Sequence, residues 1–393
     1  MTTSLPRQDR IRRALDLLRN ETTDKFDSIA GFRASEFTDP DVAKAERDYI
    51  FGRVPSIVAH GSEIARPHDF LTVQMPRNNV IVVRQRDGAV KAFVNLCRHR
   101  GALLESAEKG RCRLFSCEYH RWSYDPDGSL RTVTREPTFG DIDRKQSGLI
   151  ELPCEERHGF IWMVDNAHAS IDVADWLGPE MDTILAGYHL GELTCYRSAG
   201  FDEPTNWKIM QDAFLDGYHI QYAHPNTAGK IIHTNVMAFE DFGRHCRFIA
   251  PRKSIDRWLA EDPGDRNLDP YVTETHFLLP NSTLLRQPDH FQLLTFRPHP
   301  SDPTRSRMEQ RLMVPRLEDS GMPEEHWTAR WDKNWDILLA VLHNEDFPLL
   351  RRSQIGMASA DAGGMVLGRN EVANQVFRRG ISRLVAQGRG DRS

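Results

Sequence analysis

The chain has 393 residues, 39% of them apolar and 27% charged, with a formal charge of −5. That length supports two or three cores, with two domains the first expectation, and the composition is that of an ordinary globular protein. Without a basic excess nucleic acid is excluded as a partner, no apolar run approaches the roughly 18 residues of a membrane span, and six cysteines are too few for a disulfide scaffold.

The N-terminus sets Arg7, Arg10, Arg12 and Arg13 among short apolar steps, lacks the apolar stretch of a secretory signal, and reads as the amphipathic opening helix of a cytoplasmic protein. Periodicity through Ile11, Ala14, Leu15 and Leu18 predicts a helix from Pro6 to about Asn20, and Asp41 to Phe51 predicts another. From Val54 to Val164 the texture changes to short strands between turn signals. Examples are Asn79 to Arg84 ending at Asp87-Gly88, Ala92 to Asn95, Arg113 to Ser116, and Phe160 to Val164; Pro126-Asp127-Gly128 is a hairpin-like connection. After Asp165 a helix is expected from Pro204 to about Tyr222, stopping at Pro225. Strands near Thr275 to Leu279, Thr283 to Arg286, Gln292 to Arg297 and Glu309 to Val314 suggest an antiparallel sheet. Helices are predicted over Pro323 to Leu342, Phe347 to Met357 and Glu371 to Ala386, so the fold class is α+β.

Chemistry concentrates first at Cys97-Arg98-His99-Arg100-Gly101 and Cys117-Glu118-Tyr119-His120-Arg121-Trp122. Each short spacing lets one loop offer one thiolate and one imidazole. Two histidines replacing two cysteines at one iron of a [2Fe–2S] cluster is the Rieske arrangement. A tetrahedral zinc site is the alternative, but C-x-H is not finger spacing and no H-x-x-x-H element follows. Cys112 has no histidine in step and reads as an inward strand residue. Cys154, Cys195 and Cys246 read as buried thiols.

The C-x-H-R-G and C-x-x-H-x-W pair, closed by Trp122, resembles the Rieske domain of ring-hydroxylating non-heme iron oxygenases, in their large (alpha) subunits. The resemblance implies an all-β Rieske domain over residues 51–165 and a helix-grip-like, antiparallel-sheet catalytic domain over 166–393. Residues 1–50 would form a helical segment packing on the catalytic domain. In Rieske proteins of respiratory complexes each loop carries a further cysteine; Ala102 and Tyr119 stand at those positions here, which implies an electron carrier matched to a reductase or ferredoxin.

The second constellation is Asp212, Asp216, His219 and His224. On one continuous helix Asp212, Asp216 and His219 fall at i, i+4 and i+7 and share a face. Two histidines and a carboxylate on one face of an iron leave positions open for oxygen and substrate. In isolation, Asp216 and His219 could equally be a helix-surface pair. By the family resemblance His219 and His224 are iron ligands, with Asp346 the third and Glu345 its fallback; the bland reading of Asp346 is a helix N-cap. The resemblance also makes Asp216 an electron bridge between subunits of a head-to-tail ring, a homotrimer or an α3β3 assembly. Many family members have Glu-Asn where this chain has Gln211-Asp212, which puts an acid near the iron.

Electrons would come from NAD(P)H through a ferredoxin or flavin reductase, and the expected substrate is a small aromatic molecule attacked with O2. Monooxygenation or demethylation with the same metals, and a cluster-only electron carrier, are the alternatives. Pocket candidates are Met210, Phe214, Val236, Met237, Phe239, Leu284 and Leu293, with Arg286, His290 and His276 available to anchor a carboxylate.

Overall fold

A computed structural model describes residues 6–390. The opening helix Arg7–Arg19 buries Ile11, Ala14 and Leu15 against Ala238, Ile249, Ile255, Leu268 and Val272, residues that belong to the C-terminal half of the chain. Its Arg7 reaches Asp269 at 2.6 Å and also bonds Glu274. Ala30–Arg33 then pairs antiparallel with Gly364–Leu367, so the N-terminal segment is stitched to the last fifty residues. Glu46, at the end of the helix Pro40–Glu46, lies buried beneath Trp207, whose indole donates to it at 2.8 Å, and beside the Lys208 ammonium.

Among the described residues, three small antiparallel sheets occupy the stretch from Ser56 to Met163. The largest has five strands, including Asp69–Gln74, Asn79–Arg84 and Val90–Val94, and the alternation in these strands feeds two apolar layers. One layer, with Ile81, Val83, Phe93, Phe115 and Tyr124, contains Cys97 and Cys117 themselves. The other is built on Val58, Val80, Val82 and Ile161.

Beyond Asp165 the helix Val173–Ala186 and the eleven-residue strand Leu193–Glu203 appear where no element was expected. The helix is broken at Gly178 (φ 71°) before Pro179, which interrupts the periodicity that marks helices in sequence. The strand opens an antiparallel sheet of seven strands that continues through Ser306–Pro315, Phe291–Pro298, Ser282–Arg286, Val272–Leu278, Cys246–Pro251 and Ala238–Asp241. Trp207–Ala213 packs on it through Met210, which joins Leu284, Leu293 and Phe296 in the largest core. The four strands read from sequence all lie in this sheet.

The helix expected over Pro204 to Tyr222 is two short pieces, Trp207–Ala213 and Ile220–Ala223. Asn206 caps the first by accepting from Lys208 N at 2.9 Å. Between the pieces Asp216 takes up the backbone N–H groups of Tyr218 and His219, the local bonding by which an aspartate competes with a helix. A side chain at Gly217 would stand 3.2 Å from Met237 Sδ, so its bare backbone lets the turn lie flat on that residue. The shared face drawn for Asp212, Asp216 and His219 therefore does not exist.

Candidate functional site

Two donor sets form, and they are built differently. In the first, the Cys97 and Cys117 loops repeat one backbone plan. Cys97 N donates to Ala102 O and Cys117 N to Trp122 O, both at 2.8 Å; Gly101 N returns to Cys97 O and Arg121 N to Cys117 O, both at 2.9 Å. The fourth residue after each cysteine turns left-handed, Gly101 at φ 74° and Arg121 at φ 60°. Both thiols are buried, and burial raises the Cys97 pKa. Tyr124 OH lies 3.5 Å from Cys97 Sγ and accepts from Arg98 N at 3.0 Å.

The His99 and His120 rings sit 4.6 Å apart, centre to centre. Trp122 stacks on His99 at 4.9 Å and 8°, and Phe139 edges onto both rings. The Nδ1 atoms of His99 and His120 are buried without a hydrogen-bond partner. Two buried thiols and two orphaned imidazole nitrogens fit a [2Fe–2S] cluster held through two sulfurs and two nitrogens. Cys112 stays outside the set and outside any strand; its thiol donates to Leu114 O at 2.8 Å.

The second set joins elements far apart in sequence. His219 Nε2 and His224 Nε2 are 3.2 Å apart, and Asp346 Oδ1 is 3.1 Å from His224 Nε2 and 4.0 Å from His219 Nε2. These three donor atoms lie within 4.8 Å of one another, close enough to share one metal ion. Asp346 is buried at the end of a single widened helical turn, Leu342–Asp346, between the helices Glu324–Val341 and Phe347–Met357. The outer nitrogens are held as well. Glu345 takes His224 Nδ1 at 2.6 Å and is itself fixed by Thr227 Oγ1 at 2.6 Å, while Asp216 Oδ2 stands 3.3 Å from His219 Nδ1. Glu345 thus sits on the far side of the His224 ring from the trio. Burial pushes the His224 pKa down, but Asp346 and Glu345 outweigh it and the net shift is upward, as expected where acids await a cation.

A cavity of about 1000 Å³ opens beside His219, His224 and Asp346. Phe214 and Met237 line it, together with Phe248, Leu294, Leu338 and Leu342. The other pocket candidates do not. Met210, Leu284 and Leu293 are fully buried in the sheet–helix core, Val236 lines a separate surface recess, and Phe239 packs on Phe26. His276 is tied into the core by Tyr188, and Arg286 lies over the Tyr188 ring beside Asp269 and Glu274.

Asp212 differs most from expectation. Its carboxylate pairs with Arg378 and lies 3.3 Å from Asn374 Nδ2, both on the last helix, Val372–Arg389, and it does not line the cavity. Because the helix ends at Ala213, Asp212 points to that neighbour rather than along the loop that carries His219. Thr227, Asn374 and Arg378 were missed, and no spacing signal marks them. Gln354, on the helix that follows Asp346, accepts from Asn206 N at 2.7 Å and so clamps that helix to the start of the helix before His219.

Residues 190–387, just over half of the chain, match the family model of the ring hydroxylating alpha subunit (catalytic domain), and residues 55–145 match the Rieske [2Fe-2S] domain. The large subunit of anthranilate 1,2-dioxygenase from Acinetobacter baylyi is 32% identical over 53% of this chain and 45% of its own length. The oxygenase subunit of carnitine monooxygenase from Acinetobacter pittii is 32% identical over 50% of this chain and 53% of its own. The chain thus spans about half the length of these curated relatives. Among solved structures, a quaternary ammonium Rieske monooxygenase in complex with its substrate L-carnitine superposes with TM-score 0.74 at 21% identity, over 91% of this chain and 96% of that one. A naphthalene 1,2-dioxygenase with indole in its active site gives 0.66 at 20% identity, over 91% and 92%. These likenesses are of fold.

Proposed function

On the premise that the chain belongs to the family of ring-hydroxylating alpha subunits, we propose that it is the terminal oxygenase of a multicomponent system. It receives electrons from NAD(P)H through a ferredoxin or flavin reductase and places oxygen from O2 on a small organic substrate, an aromatic ring being the first candidate. One observation carries this reading: a sulfur–nitrogen set suited to a [2Fe–2S] cluster and a two-histidine, one-carboxylate set suited to a mononuclear iron occur on one chain. A cluster-only electron carrier has no use for the second set.

When bound, the cluster supplies single electrons and the mononuclear iron supplies oxygen activation. The chain's own residues do the rest. Cys97, His99, Cys117 and His120 hold the cluster, with Trp122 and Phe139 covering His99. His219, His224 and Asp346 hold the iron. Glu345 keeps the His224 proton on Nδ1 and so leaves Nε2 free toward Asp346. Apolar side chains, among them Phe214, Phe248 and Leu294, form most of the wall of the space beside them. Asp216 stands next to the exposed Tyr218, and Tyr119 is exposed beside His120. These positions suit a head-to-tail ring in which Asp216 meets a second copy of the chain. No helix among the described residues is long and apolar enough to cross a membrane, which is compatible with the cytoplasm.

Product analysis with ¹⁸O2, a generic reductase and a panel of aromatic substrates tests the reading. Two labelled oxygens in the product mean dioxygenation. One means monooxygenation, the second reading, which the carnitine monooxygenase relative favours. Wild-type protein that consumes no O2 with any substrate and holds no mononuclear iron would contradict both.

A further inference from the structure

The cavity beside His219, His224 and Asp346 is apolar over most of its wall but has one unbalanced basic corner. Arg252 follows the strand Cys246–Pro251 and lines the cavity half-buried. Its Nη1 donates to Gln287 Oε1 at 3.1 Å, and no carboxylate lies within ion-pair distance of it among the described residues. The same Gln287 oxygen also accepts from Thr273 Oγ1 at 3.2 Å, which leaves the Gln287 amide N–H groups as further donors.

The other cations of the wall are already spent or solvated. Arg330 pairs with Asp289, His233 pairs with Asp256 at 2.6 Å, and Lys230 is exposed. Asp289 is the acid nearest in effect to Arg252, but it is bound twice, by Arg330 and by His290 Nδ1 at 2.8 Å, and these partners hold its pKa down at about 2. Burial disfavours the Arg252 charge, with Asp289 offsetting only part of it. A half-buried cation lacking an acid carries part of the cost of a buried charge unless something that enters the site completes it.

We propose that Arg252, with the Gln287 amide beside it, anchors a carboxylate on the substrate, whose apolar body lies along Phe214, Phe248 and Leu294. This rests on the oxygenase reading and narrows its substrate class to organic acids. A guanidinium suits a carboxylate because its paired N–H groups match the two oxygens. The anchor fixes one end of the molecule, so the other end is what reaches the metal set. Arg286 and His276, the sequence candidates for such an anchor, are committed to the core; His290 lines the cavity but is held between Asp289 and Gln292.

The test is binding to the iron-loaded full chain, measured calorimetrically with 2-naphthoate against 2-naphthamide and benzoate against benzamide. Wild type should prefer each acid over its amide by about ten- to a hundredfold. Arg252→Gln should abolish that preference, and Arg252→Lys should restore part of it. The thermal midpoint of each variant reports whether it is folded, and Arg252→Lys serves if Arg252→Gln is not. Equal or tighter amide binding by wild type, no binding of either acid, or an unchanged preference in the folded variants would overturn the proposal. Iron content of the same samples reports on the oxygenase reading separately: a full iron complement with no acid preference sinks the anchor and leaves that reading standing.

Discussion

The two donor sets differ in what holds them. Cys97 and Cys117 are part of a hydrophobic core, flanked by Phe93, Phe115, Trp122 and Tyr124, and each thiol–imidazole donor pair comes from one short loop closed by its own backbone hydrogen bonds. His219 and His224 stand at a cavity wall, and Asp346 arrives from a helix more than a hundred residues later. One site is local in sequence and built into packing; the other is assembled by tertiary contacts and kept open for a ligand. Removing a ligand should therefore have different consequences at the two.

The largest expected contrast comes from the ligands themselves. His224→Ala should remove the mononuclear iron and all oxygenation while leaving the cluster absorbance and the thermal midpoint close to wild type. Cys97→Ala should remove the cluster and also cost about 2–4 kcal/mol of stability, read by denaturant titration of the cluster-bearing region, because that thiol is only 1% exposed in the core. Equal destabilisation by both substitutions would erase the contrast.

Next in size is the pair that corrects the sequence reading. Asp212→Asn breaks a mostly buried ion pair with Arg378 and should cost about 2–3 kcal/mol, with iron content unchanged. Loss of iron at unchanged stability would return Asp212 to the metal. Glu345→Gln keeps a hydrogen-bond partner for His224 but removes the charge, and should weaken iron retention about tenfold in chelator competition.

The smallest effect lies outside both sites, where Asp182 binds Arg157 at 2.6 Å through each oxygen and His158 at 2.7 Å. Arg157 is the main cause of a pKa depressed to about 2. A depressed folded-state pKa gives stability that is present above the unfolded value of about 3.9 and lost as the pH falls toward 2. Asp182→Asn should cost about 1–2 kcal/mol at neutral pH, and the difference from wild type should shrink over that acidic window.

How much was legible in the sequence follows the same division. The Cys97 and Cys117 loops could be read residue by residue because both ligands and their turn residues lie within four or five positions. Continuous β-branched runs such as Asn79–Arg84 and the helix Phe347–Met357 were visible for the same local reason. The run from Pro204 to Tyr222 looked like one helix because its apolar spacing is helical, and Asp216 breaks it by a side-chain bond that spacing does not encode. Asp212 was misplaced as a result. Buried core and cavity wall share apolar composition, so Leu284 and Phe214 could not be told apart, and Arg252 carried no motif at all.

Mössbauer spectroscopy of ⁵⁷Fe-loaded chain, wild type beside His224→Ala, tests most directly whether two unlike metal centres share this polypeptide. The expected wild-type spectrum has cluster iron and mononuclear iron in an area ratio of about 2:1, and only the smaller component vanishes in the variant. Cluster iron alone in the wild-type chain, or a spectrum indifferent to His224, would contradict it.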